Sequence, residues 1–135
     1  MPITYALEPN LSVSEFKQVL IASGLAERRP IEDTPRLEKM LANADVIVVA
    51  RDDQGKIVGV ARSITDYAYC LYCSDLAVDT SAQGNGIGRR LLEETAKAAP
   101  KVKSCLLTSA PGAVSFYEQA GCERLADTFR FHVNS

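Results

Sequence analysis

The residues whose types and spacing best fit a chemical task lie between Asp75 and Arg90. A strand-like run over residues 70–78 leads into Gln83-Gly84-Asn85-Gly86-Ile87-Gly88, which opens directly into an amphipathic helix marked by Ile87, Leu91, Leu92 and Thr95. Glycines in such a loop let the backbone take positive φ and let a ligand approach with no Cβ in the way. The first turn of a helix presents unpaired N–H groups and a partial positive charge, so the arrangement is an anion site suited to a pyrophosphate. Two other phosphate loops fit poorly. The dinucleotide fingerprint G-x-G-x-x-G is met at Gly84 and Gly86 but has Arg89 in its third place, and a Walker loop needs Gly-Lys-Ser/Thr where this chain has Gly88-Arg89-Arg90.

Other reactive side chains are fewer. Cys70 and Cys73 have the spacing of half a zinc or redox motif, yet residues three apart on a strand face opposite sides. No second cysteine or histidine pair completes a tetrahedral site, and His132 is the sole histidine, so no metal is expected. Cysteine-based covalent catalysis lacks a histidine partner in the same way. Cys70, Cys73, Cys105 and Cys122 therefore read as free, buried thiols. Arg89 and Arg90 stand in the first helical turn, where positive charge opposes the helix dipole unless an anion binds nearby.

These groups must be positioned by the surrounding elements. Residues 3–7 suggest a strand. Ser12 and Glu15 make a capping-box pattern for a helix carrying Phe16, Val19 and Leu20 and ending at Gly24. Thr34-Pro35 starts a second helix, with Thr34 as cap and Leu37, Met40 and Leu41 as the apolar stripe. The continuous β-branched run over residues 46–50 fits a strand covered on both faces. Asp52 to Gly55 then turns the chain into residues 57–61, giving a hairpin, and residues 70–78 add a third strand. After the glycine loop and its helix come a strand over 104–108, a short helix over 111–120 closed by Gly121, and one or two last strands within 123–133. This order predicts an α/β (α+β) layout with helices covering one central sheet.

Length and composition bound the rest. At 135 residues, 47% hydrophobic and 24% charged, the chain suits one domain, residues 1–135, without linkers or repeats. A net charge of −2 with no basic stripe argues against nucleic acid. No apolar stretch approaches the ~18 residues of a membrane span, and the N-terminus has no secretory pattern. The chain thus reads as cytoplasmic.

The segment Gln83-Gly84-Asn85-Gly86-Ile87-Gly88 resembles the Q/R-x-x-G-x-G/A signature of the GNAT superfamily of N-acetyltransferases, and Leu76-Ala77-Val78 resembles the strand end before it. Phe116-Tyr117-Glu118-Gln119-Ala120-Gly121-Cys122 is similar to the family's F-Y-E-x-x-G-F, with Cys122 in place of the last aromatic. The resemblance implies a mixed, mostly antiparallel sheet of six to seven strands flanked by about four helices. It implies acetyl-CoA bound through the main chain of Leu76, Ala77 and Val78 and through the loop of Gln83, Gly84, Asn85, Gly86, Ile87, Gly88 and Arg89. It also implies direct, ternary-complex acetyl transfer to a primary amine, small molecule or protein, and Tyr117 as the acid that protonates the leaving thiolate. A homodimer is common in the family. Asp75, on the strand near the expected thioester, is the acidic candidate for general base, with a water chain as the alternative; strand alternation puts it on the same face as Cys73 and Ala77. Arg28 and Arg29 lie where the family builds its acceptor pocket, with a solvated loop as the alternative. A catalytically silent acyl-CoA sensor is the rival function.

Overall fold

Five consecutive buried residues, 46–50, place β2 (Val46–Arg51) in the interior, covered on both faces as its β-branched run requires. The computed structural model describes residues 2–133. Its elements are β1 (Thr4–Leu7), α1 (Val13–Ser23), α2 (Thr34–Ala42), β2, β3 (Ile57–Thr65), β4 (Cys70–Val78), α3 (Ile87–Ala98), β5 (Ser104–Leu107) and α4 (Val114–Gln119), with short 3₁₀ turns at Leu25–Arg28 and Thr80–Ala82. The strands form one five-stranded sheet in the order β1-β2-β3-β4-β5. Every pair is antiparallel except β4–β5, which α3 joins by a crossover and which is parallel.

Two apolar layers sandwich the sheet. Ile47, Val49, Val60 and Ala77 meet Phe16, Val19 and Leu20 of α1 and Leu37 and Leu41 of α2. On the other face Val48, Val58, Ala61, Leu71 and Cys73 meet Ile87 and Leu91 of α3. α3 sits close to the sheet because Gly59 has no Cβ; one placed there would lie 3.0 Å from Leu91 Cδ1 and 3.2 Å from Ile87 Cγ2.

The helix ends follow local chemistry. Ser12 Oγ accepts from the Glu15 amide at 3.1 Å, and Gly24, at φ 87°, ends α1. The second cap falls one residue earlier than expected: Asp33 Oδ1 accepts from the Arg36 amide at 3.1 Å, a stronger acceptor than the Thr34 hydroxyl, with Pro35 in the first turn.

The sheet has five strands rather than the expected six to seven, because residues 123–133 form no strand among the described residues. Phe129, Phe131 and Val133 alternate as a strand would, yet their exposures are 86–92%. Alternation supplies a face, but a strand exists only where another backbone accepts its hydrogen bonds.

Candidate active site

The parallel pairing of β4 with β5 spans only Cys70–Cys73 against Ser104–Leu107. Beyond Cys73 the two strands part, and the outer edge of β4 at Leu76, Ala77 and Val78 has no strand beside it. Those residues line one wall of a cavity of about 650 Å³. Gly84, Gly86, Gly88 and Arg89 line its floor, and Ala113, Phe116 and Tyr117 of α4 and its approach line the far side. An extended amide-bearing ligand can pair with such an edge as an added strand.

The loop is held by its own side chains. Asp79 Oδ1 accepts from the Ser81 amide at 2.9 Å and from the Ser81 hydroxyl at 2.8 Å, and these bonds hold the Asp79 carboxyl below the usual range. Gln83 Nε2 donates to the Val78 carbonyl at 3.1 Å, and Asn85 Nδ2 donates to the Ala82 carbonyl at 3.0 Å. Both amides therefore brace the turn, and Asn85 does not line the cavity. Gly84 (φ 84°) and Gly86 (φ 77°) take the left-handed conformation that side chains disfavour. A Cβ on either would meet no protein atom within 4 Å, so both positions border open space. Gly86 caps α3, whose first turn leaves the amides of Ile87, Gly88 and Arg89 without helical acceptors. Free amides at a helix N-terminus beside open glycines make this cradle a site for an anion. Arg89 lines it, whereas Arg90 turns away to pair with Glu94 at 2.9 Å and to cover the Tyr5 ring at 4.7 Å.

α4 is tied to the same cradle. The Phe116 ring occupies the space a side chain at Gly88 would need: a Cβ there would lie 2.7 Å from Phe116 Cζ. Phe116 in turn meets Tyr117 edge-on, with ring centroids 5.0 Å apart. Burial pushes the Tyr117 phenol up to about 12; the neighbouring Cys73 and Cys122 thiols add to the shift and Arg29 opposes it. At neutral pH the phenol is a proton donor facing the cavity.

Asp75 shares a face with Ala77, as alternation predicts, but not with Cys73. The β3–β4 register runs Arg62 with Asp75 but Ser63 with Cys73, leaving Ser74 as an extra residue on β4. A bulge of this kind reverses the side-chain alternation beyond it. Cys73 consequently packs toward α3, whereas Asp75 and Ala77 face α1 and α2. The carboxylate is fully buried between two guanidinium groups, Arg29 Nε donating to Oδ1 and Arg62 Nε to Oδ2. Arg29 also donates to the Ser74 carbonyl at 2.7 Å, and Arg62 to the Met40 carbonyl at 3.1 Å. The three side chains clamp the bulge. Asp75 does not line the cavity, and both its oxygens are engaged.

Cysteine placement also departs from expectation. Only Cys73 is buried; Cys70, Cys105 and Cys122 are exposed, and all four are free. Burial pushes the Cys73 thiol up to about 11, so it stays protonated and a poor nucleophile. Sequence reasoning missed Ser23, Gly24 and Leu25, which line the cavity with Arg28. Gly24 as a helix terminator was the one available signal that the chain turns there. Arg62 was missed entirely, because nothing in residue type marks the partner of a buried carboxylate across a strand. Among the described residues no helix is long and apolar enough to cross a membrane.

A model of the acetyltransferase (GNAT) domain matches residues 43–123. An uncharacterized N-acetyltransferase, ycf52, of Pyropia yezoensis is 25% identical over an alignment of 119 positions that covers 83% of this chain. The chain spans 65% of that relative's length. A GNAT-family acetyltransferase of Streptococcus pneumoniae superposes with a TM-score of 0.80 at 25% identity, over 98% of both chains. The glucosamine-6-phosphate N-acetyltransferase of Arabidopsis thaliana shares the fold with a TM-score of 0.68 at 17% identity, over 99% of this chain and 100% of that one. The matched span carries the split strand pair, the glycine cradle and the helix of Phe116 and Tyr117, and on that span the chain belongs to the GNAT acetyltransferase family.

Proposed function

We propose that this protein transfers an acetyl group from acetyl-CoA to a primary amine by direct attack within a ternary complex. The observation that carries the reading is the unpaired outer edge of β4 running into the glycine cradle of α3, with Tyr117 facing the same cavity. The cosubstrate's pyrophosphate would rest on the amides from Gly84 to Arg89, and its pantetheine arm would pair with the main chain of Leu76, Ala77 and Val78. A backbone N–H of that edge would stabilise the charge that develops on the carbonyl oxygen when the amine attacks. Tyr117, protonated well above neutral pH, donates its proton to the departing sulfur. The attacking amine must be neutral, and a lysine-like amine has a reference pKa of about 10.4, so a proton must leave it. With Asp75 engaged by two arginines, waters in the cavity carry that proton outward in this reading.

The test combines coenzyme A release across a panel of amines with Tyr117→Phe. We expect wild-type turnover with at least one amine, and single-turnover acetylation slowed ~10²–10⁴-fold in the variant with coenzyme A affinity little changed. Tight coenzyme A binding with no acetyl transfer to any amine would identify a sensor instead. Unchanged single-turnover rates in a folded Tyr117→Phe protein would move the proton source to water.

A further inference from the structure

Up to the end of α3 the arginines divide by whether a carboxylate of the chain already holds them. Arg29, Arg36, Arg51, Arg62, Arg89 and Arg90 each pair with one. Arg28 is the exception: among the described residues it makes no ion pair, and its exposed side chain lines the cavity. Its main chain is nonetheless fixed. The Arg28 carbonyl accepts from Arg29 Nη1 at 2.8 Å, and Arg29 is tied in turn to Asp75 and to the Ser74 carbonyl on β4. The position is thus anchored to the sheet while the guanidinium itself is unclaimed.

The charges around the cavity point the same way. Arg28 and Arg89 are on its lining, and among the described residues no aspartate or glutamate is. Arg89 stands on the α3 cradle, where the phosphates of the cosubstrate would lie, so Arg28 is the charge left on the wall of the turn Leu25–Arg28. Beside it Leu25 is half-buried and apolar. The Ser23 hydroxyl is already spent, donating to the Leu20 carbonyl at 3.0 Å and accepting from the Leu25 amide at 3.1 Å.

We propose that, given acetyl transfer from acetyl-CoA, the acceptor is a primary amine that also carries an oxyanion, carboxylate or phosphate, and that Arg28 binds this oxyanion. A guanidinium offers planar, paired donors that match either group. An oligoamine is disfavoured on the same grounds, because its further charges would face Arg28 with no carboxylate on the lining to offset them. A like charge also disfavours the ammonium form, so Arg28 helps hold the reacting nitrogen neutral. The oxyanion takes no part in the bonds exchanged. Nitrogen bonds to the acetyl carbon, the carbon–sulfur bond breaks, sulfur takes the Tyr117 proton, and the proton shed by nitrogen restores the phenol through water.

Coenzyme A release is compared across four matched series of graded chain length: ω-amino carboxylates, ω-aminoalkyl phosphates, plain alkylamines and terminal diamines. We expect one anionic series to exceed its matched alkylamines at least tenfold in kcat/KM, chiefly through KM, with diamines below both. Which anionic series leads tells carboxylate from phosphate. Arg28→Gln should cut that preference at least tenfold by raising the KM of the anionic amine, Arg28→Lys should keep most of it, and Arg28→Glu should turn it toward the diamine. Coenzyme A affinity within a factor of three of wild type in each variant sets a lost oxyanion contact apart from a damaged fold. Alkylamines or diamines that match the anionic amines in kcat/KM overturn the inference while leaving acetyl transfer standing, and so does a preference that survives Arg28→Gln. Absence of coenzyme A release in all four series overturns acetyl transfer itself, and this inference with it.

Discussion

Replacing Asp75 by asparagine separates a structural carboxylate from a catalytic one. The side chain is fully buried between Arg29 and Arg62, whose side chains are 21% and 6% exposed. The amide keeps the shape but removes the charge, leaving Arg62 buried against no carboxylate. Breaking one buried pair in this way costs about 3–5 kcal/mol. Water reaches Arg29, so its loss adds little beyond that range. With an unfolding entropy of roughly 2.1 cal/mol/K per residue, a chain of this length loses about 10–18 °C in melting temperature. The assay is calorimetric melting at pH 7, read beside coenzyme A release at a temperature where the variant stays folded. A clamp predicts a large fall in melting temperature with a rate loss well under a hundredfold. A general base predicts the reverse: a small change in melting, a fall in kcat of ~10²–10⁴-fold, and loss of the acidic limb of the pH–rate profile. A melting temperature within about 3 °C of wild type alongside that fall in kcat would refute the clamp.

Gly88→Ala should cost ~1–3 kcal/mol by melting, since its Cβ would lie 2.7 Å from Phe116 Cζ, and adding Phe116→Leu should return most of the loss. Gly86→Val, at φ 77° and bordering open space, should add backbone strain and place a branched side chain in the cradle; coenzyme A affinity by calorimetry should fall at least tenfold. The Asp79 carboxyl is held below its ordinary range by Ser81, so its contribution is fully present above the unfolded pKa and is lost as pH falls through the lower folded value. Asp79→Asn should therefore destabilise the protein at pH 7 and make a smaller difference at pH 3, read from melting curves at both.

What the residues disclosed depended on whether a local rule could act. Ser12 and Gly24 announced the ends of α1, because a cap and a left-handed terminator are settled within a few residues. The cradle was equally legible, since Gly84 and Gly86 are needed by their own backbone angles. Asp75 was put on the face of Cys73 because alternation is a rule for regular strands, and the bulge at Ser74 is fixed by the partner strand and by Arg29. Gln83 and Asn85 sit where the sequence puts them, but their side-chain amides bond back onto the loop's own backbone, at the carbonyls of Val78 and Ala82. The segment after Gly121 shows the limit most directly. Its alternation is a strand's, yet alternation cannot supply the second backbone.

The clamp also bears on how such a site divides its work. Arg29 closes the 3₁₀ turn Leu25–Arg28, and its guanidinium reaches across to Ser74 and Asp75 on β4. It therefore ties the wall carrying Leu25 and Arg28 to the strand where the cavity's main-chain edge begins. One wall is built of backbone amides on glycines whose φ angles and close approaches admit few substitutions. The other is built of side chains on a turn, where substitutions alter shape and charge at little cost to the sheet. On the proposed function, the first wall would hold the cosubstrate and the second would meet the acceptor. A buried ion pair between them lets the turn's residues change while its distance from β4 stays set by Arg29. Arg28, which lines the cavity beside this anchor, is free to vary in a way that Arg29 is not.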